Sequence, residues 1–348
     1  MANAGLESPN RADGLKKICV IIVHHKGRRL LDACVHSLID SEQVGVRVII
    51  AANACEEELP EVALEDARVE IVWIDKPVGF SEANNLGVQK GVDSGHQPDH
   101  YLFLNNDAKV ESDTLAKLAF AMDRRPECGI VGPRLMIWGA EEHLNSLGLN
   151  VTRTGEAWDE GIGMPLDEYG PLPTQSEVLA VTGAALMIKA DLCRDLHGWS
   201  ELYEYYFEDI DLCLRARSRG WQVILEPDAI VWHAISATAS RVSDFKLSMT
   251  WRNRLLLVFS HWPFGLLCRI VPRLVFDELK VLGSRLRVRA FDDARLQVGA
   301  WAGALECTRG ILKIRRSRGA GRHWIEFLQP AGSVPVIRLP ELPAEVNQ

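Results

Sequence analysis

Two stretches of the chain gather carboxylates and amides at a density that packing alone does not require. Tyr203-Glu204-Tyr205-Tyr206-Phe207-Glu208-Asp209-Ile210-Asp211-Leu212-Cys213-Leu214-Arg215 sets four acids within eight positions among aromatics. Aromatic walls desolvate a carboxylate and raise its pKa towards the range of a general base. The same acids also suit a helix N-terminus, where they complement the macrodipole, and one helix start can present one acid to a site while another acts as a cap. The second stretch, Leu102-Phe103-Leu104-Asn105-Asn106-Asp107, runs a hydrophobic strand into two amides and an acid. Oxygen ligands placed there can hold a divalent cation, with Asp107 the formal charge. An Asn/Asp turn after a strand has the same composition. His233 closes the strand-like run Ala229-Ile230-Val231-Trp232. An imidazole is a good further ligand beside carboxylates, although a lone histidine at a strand end is more often structural. The pair His24-His25 is a weak metal signal by itself.

The order of elements around these residues is that of an α/β sheet. Ile18 to Val23 is an uninterrupted apolar, β-branched run, the pattern of a strand covered on both faces. Helical spacing from Leu30 to Ile39 and a strand at Val46 to Ala51 complete a βαβ unit. The alternation continues with a strand at Val69 to Ile74, a helix from Ser81 to Gly91, a strand at Tyr101 to Leu104 and a helix from Ser112 to Arg124. In such sheets ligands bind beyond the carboxyl ends of the strands, which singles out His24-His25, Asn53, Lys76 to Phe80 and Asn105 to Asp107, with a nucleotide as the default ligand. Ile137 to Gln175 is Gly/Pro-rich and aperiodic, and reads as a long loop or a pair of short strands over the site. Regular structure resumes at Val178 to Ile188, with a helix at Asp209 to Arg219 and a strand at Gln222 to Leu225.

Composition narrows the function classes. The 348 residues are 47% hydrophobic and 25% charged, with a net charge of −8. That is globular composition and a poor match to nucleic-acid binding. The eight cysteines are scattered, without CxxC pairs or zinc spacing, and read as buried thiols of a reducing compartment. The polar N-terminus lacks the apolar stretch of a secretory signal, so a cytoplasmic location is expected. There is no P-loop, no G-x-G-x-x-G after a strand, no G-x-S-x-G elbow and no H-E-x-x-H, which removes the usual anchors of hydrolases and dehydrogenases. Residues 251–323 hold 15 Lys+Arg and 5 Asp+Glu, a local balance of +10. This part contains the apolar run Leu255 to Leu267, which Arg269 and Arg273 close too early for a membrane span. An interfacial or core helix is the expectation, with peripheral contact at the inner face of the cell membrane as one outcome and simple packing on the sheet domain as the other.

Taken in order, these stretches resemble the family 2 inverting glycosyltransferases of the GT-A fold, in particular rhamnosyltransferase-like members that build bacterial cell-surface polysaccharides. The resemblance runs from Ile18 to Ser240. It rests on the first strand leading into His24-His25-Lys26-Gly27, on Gly79-Phe80-Ser81-Glu82-Ala83-Asn84-Asn85-Leu86-Gly87, on Asn105-Asn106-Asp107 as a variant of the DxD metal motif, on Thr182 to Ile188, and on Tyr206 to Leu212 followed by Pro227-Asp228-Ala229 and His233. It implies a Rossmann-like mixed sheet flanked by helices over 18–250, preceded by a flexible 1–17 and followed by a helical, basic extension over 251–348.

The resemblance further implies that Asp107 and His233 bind Mg²⁺ or Mn²⁺. Asp209 would be the base that deprotonates the acceptor hydroxyl, with Glu208 and Asp211 on the acceptor side. His24, Asn53, Gly79, Phe80, Asn84, Asn85, Asn105, Asn106 and Gly183 would serve the nucleotide-sugar donor, and the acceptor would be a glycan or lipid-linked. Two positions depart from the family pattern. Ala52 stands where members carry an Asp before Asn53, and the first strand ends in His24-His25-Lys26 rather than Asn-Tyr-Asn. The loss at Ala52 motivates a rival reading, a catalytically silent member that binds glycan or assists assembly. A nucleotidyltransferase is weaker, because no Gly-rich signature with a basic residue lies near the first strand.

Overall fold

The computed structural model describes residues 15–235, 243–340 and 342. The polar N-terminus up to residue 14 lies outside the described residues. The first part alternates strands and helices: β1 (Lys17–His24), α1 (Arg28–Ile39), β2 (Gly45–Asn53), α2 (Glu61–Glu65), β3 (Val69–Ile74), α3 (Phe80–Asp93), β4 (His100–Leu104), β5 (Ala108–Val110) and α4 (Thr114–Arg124). Next come β6 (Cys128–Ile137), β7 (Ala140–Ser146), β8 (Leu149–Val151), β9 (Ala157–Asp159), α5 (Leu166–Tyr169), β10 (Ser176–Glu177), β11 (Ala185–Lys189), α6 (Ala190–Asp195), α7 (Glu208–Ser218) and β12 (Gln222–His233). Four helices follow: α8 (Asp244–His261), α9 (Phe264–Arg287), α10 (Phe291–Glu306) and α11 (Thr308–Ser317).

One mixed sheet runs in the order β10-β12-β6-β11-β4-β1-β2-β3, with β5 also paired to β12 and β7 to β6. β1 is parallel to β2 and β4, whereas β11 is antiparallel to both β4 and β6. The unbroken apolar run of β1 is explained by burial on both faces. Ile18, Val20 and Ile22 join a core with α1 and α4, while Cys19 and Ile21 join another with α6 and α7. α3 lies close against the second face because Gly87 has no side chain: a Cβ there would stand 2.6 Å from Cγ2 of Ile21.

Several expectations need correction. β6, a ten-residue strand inside the sheet, follows α4 directly where no strand was anticipated. The strand expected at Gln222 to Leu225 continues to His233 through a register shift between Glu226 and Ile230, and this bulge accommodates Pro227, which has no N–H for a ladder. In the Val178 to Ile188 stretch only the end is strand, as β11. The Gly/Pro-rich segment holds short strands, of which β8 and β9 form a separate two-stranded sheet. The run Leu255 to Leu267 is two helices and not one. α8 stops at His261, and Pro263, whose preceding residue is kept out of helical geometry, starts α9. Leu256, Leu257, Val258 and Trp262 of this part belong to the same core as Ile210 and Leu214 of α7. Of the cysteines, Cys268 is exposed on α9 and Cys55 and Cys307 are half-buried, so the thiols are not uniformly interior.

Candidate active site

The carboxyl ends of β1 and β4 meet through side chains. His24 ends β1 wholly buried, and Asn106 Nδ2 donates to its Nδ1 at 2.9 Å and to Lys26 O at 2.9 Å. Burial lowers the His24 imidazole to about 4, so it is neutral and Nδ1 can accept. His25 Nδ1 donates to Asn53 O at 2.9 Å, tying β1 to the end of β2. Asn53 spends both amide atoms on one residue: Nδ2 donates to Val78 O at 2.9 Å and Oδ1 accepts from Val78 N at 3.0 Å. Ala52, at the position of the family's Asp, is buried and 1% exposed.

The Gly79 to Gly87 segment acts as a clamp on the chain that enters α7. Phe80 N donates to Glu204 O at 2.8 Å, and Ser81 Oγ donates to Tyr203 O at 2.6 Å. Asn85 grips Trp199 from both sides, accepting from its N at 2.9 Å and donating to its O at 3.0 Å. Gly79 is required by contact. A Cβ at this position would meet Glu204 O at 3.0 Å and Glu204 Cα at 3.1 Å, backbone atoms that cannot swing aside. Asn84 is buried and donates to Phe80 O within its own helix. Asn53 and Asn85, expected at the donor, therefore have both amide atoms engaged with protein and fix loops, while Asn84 bonds within α3.

The clamped chain delivers Glu208 and Asp209. Tyr206 and Phe207 both adopt left-handed backbone, at φ 68° and 71°, a strained pair immediately before α7. Asp209 Oδ2 accepts from Gly183 N at 2.9 Å and Oδ1 from Ile210 N at 2.8 Å, so Gly183 orients the carboxylate through its backbone. Burial raises the Asp209 carboxyl above its ordinary range in spite of these amides. Glu208 is raised well above the ordinary range by burial and by the neighbouring Asp209, and its Oε2 is buried without a partner. Two adjoining carboxyls in one desolvated spot do not both ionise readily, and the backbone amides of Gly183 and Ile210 favour the charge on Asp209 over Glu208.

Asp211 points the other way. It is fully buried, with Oδ2 accepting from Arg215 Nε at 2.7 Å and Oδ1 from His261 Nε2 at 2.8 Å. Burial would raise its carboxyl, but Arg215 and His261 outweigh that and hold it low. The place expected for Asp211, beside the acceptor, is thus not where its side chain lies: it locks α7 to α8.

β5 explains how Asp107 and His233 meet. Pairing of β5 with β12 sets Ala108 opposite His233, and Ala234 N donates to Asp107 O at 2.8 Å. His233 Nε2 then lies 3.2 Å from Asp107 Oδ1 and 3.2 Å from Asn105 Nδ2. Its other nitrogen, Nδ1, donates to Asn145 Oδ1 at 2.7 Å. Burial opposes protonation of His233, yet Asp107 prevails and the imidazole is raised. Asp107 Oδ1 and His233 Nε2, 3.2 Å apart, are an oxygen and an imidazole nitrogen that would together hold a divalent cation. Asn145 orients the His233 imidazole through Nδ1 and leaves Nε2 turned to Asp107. Among the described residues no group of three or more His, Cys, Asp or Glu side chains is arranged to hold a metal ion by itself.

Asn145 on β7 and Asp159 at the end of β9 were not anticipated. Burial raises Asp159 to about 6, and the charges of Asp209 and His233 both act on it, which places it between the two clusters. One of its oxygens, Oδ1, is buried without a partner. Both residues come from the aperiodic segment, where no spacing rule marks them.

A parallel-cored mixed sheet with an acid–imidazole pair at one strand end and an oriented carboxylate on a facing helix defines a fold of the GT-A glycosyltransferase type. A profile of the family described as Glycosyltransferase like family 2 matches residues 16–255, and the chain belongs to that family. Among curated relatives, it is 26% identical over 234 residues to the O-antigen biosynthesis protein RfbC of Myxococcus xanthus, a match covering 65% of this chain and 18% of that one. It is 25% identical over 236 residues to the uncharacterized protein y4gI of Sinorhizobium fredii, covering 65% of this chain and 25% of the relative. The chain thus spans a quarter or less of the length of these two relatives. The N-acetylglucosaminyl-diphospho-decaprenol L-rhamnosyltransferase of Mycobacterium tuberculosis is 24% identical over 231 residues, covering 62% of this chain and 75% of its own. Of solved structures, GalNAc-T7 with UDP, GalNAc and Mn²⁺ superposes with a TM-score of 0.53 at 15% identity, over 71% of this chain and 51% of that chain. The mannosyltransferase PcManGT from Pyrobaculum calidifontis in complex with GDP-Man and Mn²⁺ gives 0.50 at 14% identity, over 86% and 88%. At these identities the structural likeness is one of fold.

Proposed function

We propose that the protein is an inverting glycosyltransferase that moves a sugar, rhamnose-like in kind, from a nucleotide-sugar donor to a glycan or lipid-linked acceptor in cell-surface polysaccharide synthesis. The observation that carries this reading is Asp209, a carboxylate aimed by two backbone N–H groups at the start of α7 and raised by burial towards a base's range. The likeness to RfbC and to the decaprenol-linked rhamnosyltransferase supports the class of product. Asp107 and His233 would hold a divalent cation, Mg²⁺ or Mn²⁺, and that cation would supply neutralisation of the charge on the departing diphosphate. The edge running from His24 to Asn106 receives the nucleotide.

Asp209 takes the proton of the acceptor hydroxyl as that oxygen forms its bond to the anomeric carbon. The bond from that carbon to the diphosphate breaks on the opposite face, and the nucleoside diphosphate leaves with the electron pair, so the configuration inverts. Glu208, raised by burial and by Asp209, favours the negative charge on its neighbour. A positioned base contributes about 10²- to 10⁴-fold. Asp209→Asn should therefore lower transfer by about that factor while nucleotide binding persists in calorimetry. Full activity in this variant would refute the assignment. Absence of turnover by the unaltered protein across a panel of nucleotide sugars, with Mn²⁺ present, would favour the silent binding member instead.

A further inference from the structure

The C-terminal helices present a surface that the transfer chemistry does not use. α9 spans 24 residues, and Phe264, Val275, Phe276, Leu279 and Leu286 on it are exposed, Phe264 to 76% and Phe276 to 64%. At about 100° per residue, these side chains, together with exposed Cys268 and Pro272, fall within an arc of about 120°. Arg269, Arg273, Lys280 and Arg287 follow at the edge of that arc and are also exposed. Both acids of the helix are taken. Asp277 pairs with Arg273 at 2.9 Å, and Glu278 turns inward to Arg254, Gln297 and Trp301.

At the start of α9 the apolar stripe runs into a groove of about 470 Å³ lined by Leu255, Phe259, Leu267, Trp301, Leu305 and Ile311. Leu305, itself 74% exposed, extends the apolar surface onto α10. No helix among the described residues is long and apolar enough to cross a membrane.

We propose that the exposed face of α9 docks on the surface of an anionic lipid bilayer, with its apolar stripe at the acyl boundary and its Arg/Lys row among the head groups. An exposed apolar stripe flanked by cations is the composition of a helix lying in the membrane interface. Charge complementarity selects the occupant. The region 251–323 carries +10 within a chain of −8, so it is attracted to anionic lipid while the rest of the molecule is repelled. A second copy of the chain would bring the same cationic row against this face.

The docking face is braced against the site. Arg254 joins Glu278 of α9 at 3.3 Å to Glu156 at 2.7 Å and Thr154 O at 2.8 Å, in the turn between β8 and β9 that leads to Asp159. The inference does not rest on glycosyl transfer, because vesicle binding is read without nucleotide or sugar.

Each basic residue near an anionic surface strengthens binding by about fivefold. The full chain should co-sediment with phosphatidylglycerol-containing vesicles at least about tenfold more than with phosphatidylcholine alone, and less at high salt as screening shortens. The double variant Phe276→Glu, Leu279→Glu should lose at least about tenfold, since these side chains then meet lipid as charges. Arg269→Glu with Lys280→Glu should lose the preference for anionic vesicles. Phe120→Glu, at a 61% exposed aromatic on α4, should change nothing. Circular dichroism establishes that each variant is folded. Equal negligible binding to both vesicles, or binding untouched by the Phe276/Leu279 variant, overturns the proposal. So does a dimer in light scattering that this variant disperses while vesicles are ignored, which would assign the face to a second copy.

Discussion

Asp211 separates a structural from a catalytic role on one helix. Its carboxylate is fully buried, accepts from Arg215 Nε and His261 Nε2, and the Arg215 side chain is itself only 7% exposed. Asp211→Asn keeps the volume but leaves the Arg215 guanidinium without its counter-charge, and removing one partner of a buried pair costs about 3–5 kcal/mol. Urea unfolding at pH 7 should show a loss of that size. The pH dependence follows from the direction of the shift. The folded carboxyl lies below its unfolded value, so its stabilisation is complete above the unfolded pKa, about 3.9, and is lost only as pH falls through the lower folded pKa. The gap between native protein and variant should therefore persist down to about pH 4 and close below it. A gap under about 1 kcal/mol at pH 7, or transfer abolished with stability intact, would refute this account and return Asp211 to the acceptor side.

Glu208→Gln tests the opposite sign. The folded carboxyl is raised, so above its unfolded pKa the native protein must bind a proton to fold, and the neutral amide removes that requirement. The variant should gain stability in thermal unfolding at neutral pH and show no gain near about pH 4, and a loss at neutral pH would contradict it. Gly79→Ala places a Cβ 3.0 Å from Glu204 O, and overpacking of this kind costs about 1–3 kcal/mol. Chemical denaturation should register that loss together with slower transfer, because the strained turn into Asp209 loosens; an unchanged midpoint would rule out the contact. Asp107→Ala should remove Mn²⁺-dependent binding of nucleoside diphosphates in calorimetry, and identical isotherms with and without Mn²⁺ would count against the cation site.

Much of the framework was legible because local pattern and tertiary role coincide. The apolar run of β1 needs cover on both sides and receives it, and β3 lies at Val69–Ile74 as the pattern marked it. The cluster of acids announced a helix start, and Glu208, Asp209 and Asp211 all fall in the first turn of α7. β6 was missed because Cys128-Gly129-Ile130-Val131-Gly132-Pro133 carries two glycines and a proline that normally punctuate loops. Gly129 and Gly132 are there for packing: a Cβ on either would lie within 2.6 Å of Leu192 or Val181 side-chain atoms.

Residue types and order alone determined the family, the α/β architecture, and the list of groups able to do chemistry, since these depend on composition and spacing along the chain. Which acid is locked into the protein interior was decided only in three dimensions. Asp209 and Asp211 are two residues apart on one helix, so they project in directions about 200° apart. Only the packing of α8, with His261 ready to receive Asp211, assigns Asp211 inward, while Asp209 turns to the backbone of Gly183. The same holds for Asp107 and His233, distant in sequence and joined by the short β5–β12 pairing. It holds again for the face of α9, where the extent of the stripe left uncovered depends on how α8 and α10 pack.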